Sequence, residues 1–438
     1  MPDLRPFRGI RYSALAGDPA DLMAPPYDVI TPQEHLALCQ RSRHNIVRLD
    51  LGERTSASAA PSPDWYERAG ASFGEWRSGG VLASDPEPAF YLYTQEFEHQ
   101  GQRRRRKLLL GALRLEPYET GRILPHETTM PGPKADRLRL MQACRANLSP
   151  ILAFFPDPDG RINDLLDSLS TIRPALAFAD EGGSLHELRL VWSPRAQDSL
   201  CQALAPLPLY IADGHHRYET ALVYQQLQRA ALPGESGELP ADFVLCACMS
   251  GADPGFVIRP THRLVRWEGG PDVRDVLERA EQWFSVEALA PATLACALEL
   301  TAKRRDEAMF VVYDSGSKSF SRLEMRDARA MQDAPYPERS PLRRLPAAVL
   351  GHGFVQRLLG EWRPTLEYEA DPRAAIRAVD SGAAGAHSRL RALAGLLPGV
   401  RPSELIAVVD AGERMPPKST FFWPKPLTGI VLRSLEKI

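Results

Sequence analysis

Apolar and polar positions along this chain follow two periods, and these sort it into strands and helices. Short apolar runs bounded by turn residues predict strands from Ala89 to Phe97, Lys107 to Leu115, Ile151 to Phe155, Leu209 to Ala212, Phe243 to Met249, Phe310 to Tyr313, Ser319 to Met325 and Gly429 to Leu432. His99-Gln100-Gly101-Gln102 is a turn signal that joins the first two as a hairpin. Asn45 to Asp50 also predicts a short strand. Trp65, Ala69, Phe73 and Trp76 recur at helical spacing, so Trp65 to Gly79 predicts a helix. Further helices are expected at Leu138 to Asn147, Arg217 to Ala231, Asp272 to Phe284 and Pro372 to Val379. Thr31 can cap a helix that starts with Pro32. Strands alternating with helices give an α/β (mixed α+β) class with a mixed sheet core.

Composition changes this picture little, but it narrows the partners. Hydrophobic residues make up 44% and charged residues 25%, which suits a globular chain with a sizeable core. A formal net charge of −2 gives no global attraction to nucleic acid or to an anionic membrane. The basic run Arg103 to Lys107 reads as a solvated strand face rather than a nucleic-acid contact. Cys246 and Cys248 have the wrong spacing for a zinc knuckle or a redox pair, and their apolar neighbours make them reduced core cysteines. No signal segment and no apolar run of about 18 residues is present, so a cytoplasmic location is expected. A chain of 438 residues is long enough for two or three domains. The expected division is a catalytic domain over residues 1–270 and a C-terminal α/β lobe over 271–438, whose motif 415–425 returns to the cleft.

Three segments carry candidate chemistry. The first is Asp213-Gly214-His215-His216-Arg217, where an apolar strand ends, one glycine turns the chain and a helix begins. Backbone amides at a helix N-terminus form a ready anion site, so this turn predicts a phosphate loop. Gly214 lets the backbone approach closely, and Arg217 offers a two-pronged contact to phosphate. His215 and His216 can move a proton, and Asp213 can act as a base or hold Mg²⁺. The competing reading is a capped helix with a polar first turn; several ionisable groups beside one glycine argue against it.

The second segment runs from His126-Glu127 to Pro133-Lys134-Ala135-Asp136-Arg137. Lys134 and Arg137 supply positive charge for phosphate, and His126 and Glu127 are candidate acid–base groups, Glu127 also for Mg²⁺. The third is Lys418-Ser419-Thr420, an amine and two hydroxyls that can hold an anion although the glycines of a P-loop are missing. Zinc held by His126, His215 and His216 is disfavoured, because adjacent histidines point apart.

These motifs, with Pro25-Pro26-Tyr27-Asp28-Val29, Pro260-Thr261-His262-Arg263 and Met415 to Pro424, resemble a prokaryotic family known as domain of unknown function ten-fifteen. The resemblance runs nearly end to end. More distantly, the Asp213–Arg217 turn resembles the phosphate loop of the ParB and sulfiredoxin superfamily, to which an ADP-using free serine kinase belongs. That resemblance implies that Gly214 to Arg217 bind phosphate of a nucleotide or substrate, with Asp213 at the reacting centre. A histidine replaces the sulfiredoxin cysteine, so thiol chemistry is not implied.

The expected function is nucleotide-dependent phosphoryl transfer on a small hydroxyl metabolite, serine or phosphoserine among the candidates. ATP or ADP is the expected co-substrate, with Mg²⁺; a phosphatase would use the same groups. The alternative is a ParB-like regulatory protein that binds a nucleotide or nucleic acid and turns nothing over. Against it, the helix from Tyr218 to Ala231 carries only Arg229 as a basic residue.

Overall fold

The computed structural model describes residues 2–56, 62, 64–127, 131–303, 308–382 and 390–437. The chain forms two compact units. Unit 1 comprises residues 1–125, 129–256 and 424–438; unit 2 comprises 126–128 and 257–423. The division falls at Phe256/Val257 rather than at residue 270, and the 415–425 motif is itself split after Trp423.

Unit 1 is built on a mixed sheet that has nine strands among the described residues. Its strands are β1 (Leu4–Arg5), β2 (Phe90–His99), β3 (Gln102–Arg114), β4 (Ile123–Pro125), β5 (Ile151–Phe155), β6 (Leu176–Ala179), β7 (Leu185–Val191), β8 (Leu209–Asp213) and β9 (Phe243–Ser250). They lie in the order β4-β8-β5-β9-β3-β2-β7-β6, with β1 pairing β3. β8 runs parallel to β4 and antiparallel to β5, while β9 runs parallel to β5 and antiparallel to β3. The expected hairpin is β2–β3, paired from Tyr91↔Leu110 to His99↔Gln102.

Two helices of unit 1, α1 (Pro131–Cys144) and α2 (His215–Ala231), pack on each other. Tyr218, Ala221 and Tyr224 of α2 join Ile151, Phe155, Ile211, Cys246 and Cys248 in one buried cluster. This face, at spacings of three, is what holds α2 against the sheet. Burying each large apolar side chain contributes roughly 1.5–3 kcal/mol. All six cysteines are free, and Cys246 and Cys248 are fully buried.

Unit 2 carries a sheet of six described strands: β10 (His262–Glu268), β11 (Phe284–Ala288), β12 (Met309–Asp314), β13 (Ser319–Met325), β14 (Thr365–Glu369) and β15 (Leu390–Leu396). Their order is β11-β13-β12-β15-β10-β14. Val257–Arg259 and Phe421–Trp423 form a separate antiparallel ribbon in the same unit. No helix among the described residues is long and apolar enough to cross a membrane.

Two sequence expectations are corrected. Asn45 to Asp50 is not a strand: Val47–Asp50 is a short helix. The Asn45 carboxamide accepts a hydrogen bond from the Val47 N–H and donates to the carbonyl of Asp21, so a local turn at Asn45 overrides the β-branched pattern. The basic run is not wholly solvated either: Arg106 is fully buried and Lys107 nearly so. Lys107 Nζ lies 2.7 Å from Asp167, and burial holds the Arg106 guanidinium down at about 10. The cap at Thr31 forms as expected, with Glu34 completing a capping box.

Candidate functional site

The strand-to-helix turn in unit 1 is set by backbone conformation. The register of β8 against β5 shifts between Ile211 and Asp213, which re-aims the last strand residue. Gly214 follows with φ +85°, a left-handed conformation that only glycine adopts freely. A Cβ here would also sit 3.0 Å from Arg217 Nε. The turn therefore requires glycine on two counts, and α2 starts directly behind it.

Arg217 bends back under this turn. Its Nη2 donates to Asp213 Oδ2 at 2.7 Å, and its Nη1 donates to Ser149 Oγ at 3.1 Å and to the Pro150 carbonyl. Three donors are thus used inside the protein, tying β8, α2 and the Ser149–Pro150 loop together. Arg217, expected as a two-pronged phosphate contact, clamps the loop in this structure.

Lys425 is a second cation on Asp213, beside Arg217. Its ammonium is ion-paired with Asp213 and lies 3.1 Å from Asp28 Oδ2. Burial alone would raise the Asp213 pKa; Lys425 and Arg217 outweigh it and hold the carboxyl at about 2. Burial alone would lower that of Lys425, and the two carboxylates push it up instead. A carboxylate so acidic stays ionised at neutral pH and takes up a proton poorly, which argues against Asp213 as general base. Asp28 is one-third exposed and holds the same amine from the other side.

Behind the turn lies a buried ionic cluster. Arg137 Nη1 bonds Asp50 at 2.8 Å, its Nε bonds Asp136 at 2.7 Å, and the guanidinium lies 4.3 Å over the Tyr27 ring. Burial opposes the Arg137 charge, but Asp50 and Asp136 outweigh it and raise its pKa. Asp50 itself is shifted up by burial, since its Oδ2 has no hydrogen-bond partner. A cavity of about 40 Å³ is lined by Asp50, Arg137, Ser149 and Arg217 among others. Arg137, expected to supply charge to phosphate, is buried and bonded to the Asp50 and Asp136 carboxylates. Lys134, also expected on phosphate, is ion-paired with Glu219 of α2. His215 is buried and His216 half-buried in the first turn of α2.

Unit 2 holds the remaining expected residues. His126 Nε2 lies 2.7 Å from the Thr420 hydroxyl, which donates to Glu127 Oε1 at 3.3 Å. His126 is fully buried, so this imidazole positions Thr420 and Glu127 instead of meeting solvent. Ser419 donates to the Pro416 carbonyl, and Arg263 donates to the carbonyls of Pro417 and Lys418. The hydroxyl of Ser419 is thus used within the turn and that of Thr420 on His126 and Glu127, while Lys418, at φ 55°, is exposed.

The sequence-predicted residues fall into two groups. Asp213, Gly214, His215, His216, Arg217, Lys134 and Arg137 belong to unit 1; His126, Glu127, Lys418, Ser419 and Thr420 belong to unit 2. Lys425, Asp50 and Asp28 were given no individual role by the sequence reading. Their signal was position: Asp28 and Lys425 sit within or beside the two proline-rich motifs Pro25–Val29 and Met415–Pro424. Among the described residues no group of three or more His, Cys, Asp or Glu is arranged to hold a metal ion.

Fold and site together define a mixed-sheet α/β protein with an ion-paired, glycine-dependent strand-to-helix turn. The chain belongs to the family described as "Protein of unknown function (DUF1015)", which matches residues 4–348. No curated protein sequence matches it. Among solved structures, a free serine kinase variant in complex with ADP is similar over 72% of this chain and 87% of its own, at 12% identity and a TM-score of 0.33. A conserved hypothetical protein from Pyrococcus furiosus is similar over 75% and 95%, also at 12% identity and TM-score 0.33. SbnI from Staphylococcus aureus, truncated at its C-terminus, is similar over 73% and 85%, at 13% identity and TM-score 0.32.

Proposed function

We propose that this chain catalyses nucleotide-dependent phosphoryl transfer to a small hydroxyl compound, at the turn formed by Asp213, Gly214 and α2. The observation that carries the reading is the Lys425 ammonium, largely buried and shared between Asp28 and Asp213, the strand-end residue that Gly214 joins to α2. Asp28, Asp213, Arg217 and Lys425 sum to zero formal charge. Such a quartet does not draw in a bare polyphosphate, but it suits a phosphate that arrives with a divalent cation. Mg²⁺ is commonly held by one or two carboxylates together with substrate phosphates. Asp213 is the residue that would hold it, and it would neutralise phosphate charge. Lys425, kept in place by Asp213, binds phosphate oxygens through its ammonium, together with the first-turn amides of α2.

Asp28 is the base in this reading. It takes the proton from the acceptor hydroxyl, whose oxygen bonds to phosphorus as the bond to the nucleotide leaving group breaks. Asp213 stays ionised and keeps Lys425 and Arg217 in place. The Glu127–Thr420–His126 chain of unit 2 is assigned no step. Serine is the first acceptor to test, because the Gly214–Arg217 loop resembles in sequence that of an ADP-using serine kinase.

The test is transfer of phosphate from ATP or ADP, with Mg²⁺, to serine and to a panel of other hydroxy amino acids and sugars. Transfer that disappears in Asp28→Asn supports the reading. Nucleotide binding without turnover on any acceptor points instead to a regulatory binding protein.

A further inference from the structure

Arg433 of unit 1 lies on the short strand Leu432–Ser434, opposite Gly9 on one side and Asn147 on the other. Its side chain is buried. Nη1 donates to the Phe243 carbonyl at 2.8 Å, and Nη2 donates to the Pro240 carbonyl at 2.7 Å. A longer contact joins Nη1 to Asn147 Oδ1 at 3.5 Å. Among the described residues no carboxylate pairs with this guanidinium. Burial lowers its pKa to about 10, so it stays charged at neutral pH. A buried charge without a counter-charge is costly, and hydrogen bonds to neutral carbonyls offset that cost only in part.

Arg433 lines a cavity of about 440 Å³, a size that suits a small organic molecule. Arg8 lines it too. Arg8 Nε donates to the Asp85 carbonyl at 3.1 Å, and among the described residues Arg8 makes no ion pair. The other charges of the wall are matched. Arg5 is paired with Asp3 and Glu238, and Glu238 also with Arg114. Glu436 is paired with Arg77, and Lys437 with Glu235. The wall is therefore left with two uncompensated positive charges, on Arg8 and Arg433. Phe7, Leu239, Pro240 and Phe243 supply its apolar part. Stability alone explains neither charge, because neutral donors would serve the same carbonyls without placing two unmatched cations in one wall.

We infer that this cavity binds an organic anion with an apolar body, a carboxylate or a phosphate ester, whose charge is held by Arg8 and Arg433. A guanidinium carries more N–H donors than either arginine uses inside the protein, and its fork suits the paired oxygens of both anions. The bound anion supplies the counter-charge that the wall lacks, and its body takes apolar surface of Phe7 and Phe243 out of water. The cavity shares no residue with the Asp213–Lys425 site, so the inference does not depend on the phosphoryl-transfer reading.

The experiment is fluorescence titration of the full chain with 1-naphthoate and with 1-naphthyl phosphate, the neutral 1-naphthalenemethanol serving as reference. At least one of the anions binds with a Kd below about 1 mM, and the alcohol binds at least about tenfold more weakly. The tighter of the two anions assigns the ligand as a carboxylate or as a phosphate ester. Arg8→Met and Arg433→Met each weaken the anion by about tenfold or more, the scale of one charge-assisted hydrogen bond, and leave the alcohol unaffected. A purely structural role for the two arginines would weaken anion and alcohol alike, or neither. Should Arg433→Met fail to fold, Arg8→Met decides, because the one hydrogen bond of Arg8 among the described residues runs to the Asp85 carbonyl. Binding of neither anion overturns the proposal. So does equal affinity for the alcohol, or an unchanged anion affinity in a folded form of either variant. Anion binding that is lost in Lys425→Met but kept in Arg8→Met places the probe at the Asp213 turn and also overturns it. Absence of ADP binding in the wild type overturns the phosphoryl-transfer reading and leaves these affinities as expected.

Discussion

The Lys425 ammonium is ion-paired with the Asp213 carboxylate although 212 residues separate them in the chain. This pair decides what Asp213 can do. With its pKa held at about 2, the carboxylate is ionised throughout the neutral range and has almost no tendency to take a proton. A general base works best with a pKa near the operating pH. In the proposed mechanism the base is Asp28, one-third exposed beside Lys425, and Asp213 acts by holding cations.

Asp28→Asn is expected to lower the phosphoryl-transfer rate by about 100-fold or more while nucleotide affinity stays within about tenfold, since a lost general base removes rate rather than ground-state binding. Initial-rate kinetics alongside a binding titration separate the two quantities. An unchanged rate removes Asp28 from the chemistry.

Arg217→Ala is expected to destabilise unit 1 by about 2 kcal/mol, because it removes three hydrogen bonds and leaves Asp213 short of one cation. Urea denaturation measures this directly. A variant that keeps wild-type stability but loses nucleotide affinity would restore Arg217 as a free anion ligand.

Unit 2 should lose stability in acid through His262. Burial, with the neighbouring Arg263 charge, pushes this imidazole down to about 4, and its Nδ1 accepts the Leu397 N–H at 3.1 Å. In the unfolded chain the imidazole protonates near its ordinary 6.5, before the folded form does. The contribution is therefore complete above about pH 6.5 and is lost as pH falls from there towards 4, to a total of order 3 kcal/mol. His262→Asn keeps an acceptor for Leu397 and should flatten the difference in urea midpoint between about pH 7.5 and about pH 5. An equal acid sensitivity in the variant assigns it to other groups.

The turn at Gly214 was legible because its cause is local: a strand end, one glycine and a helix start are adjacent in sequence. The partners of Arg137 and Arg217 were not legible, for the opposite reason. Arg137 finds Asp50 across 87 residues, and Arg217 finds Ser149 across 68, so each appears as an unpaired cation near a loop until the chain is folded. Lys425 was passed over in favour of Lys418, which has hydroxyl neighbours in sequence. Those hydroxyls belong to Ser419 and Thr420, and both are engaged inside unit 2. Arg106 shows the same limit in a strand: nothing in a run of five basic residues marks which one the sheet will bury.

The central claim is that Lys425 binds phosphate of a nucleotide at this turn, and isothermal titration with ADP and ATP, each with Mg²⁺, tests it most directly. The wild type is expected to bind, and a folded Lys425→Met variant to bind at least about tenfold more weakly, a loss of roughly 1.4 kcal/mol or more. Equal affinity in the two proteins would contradict the account.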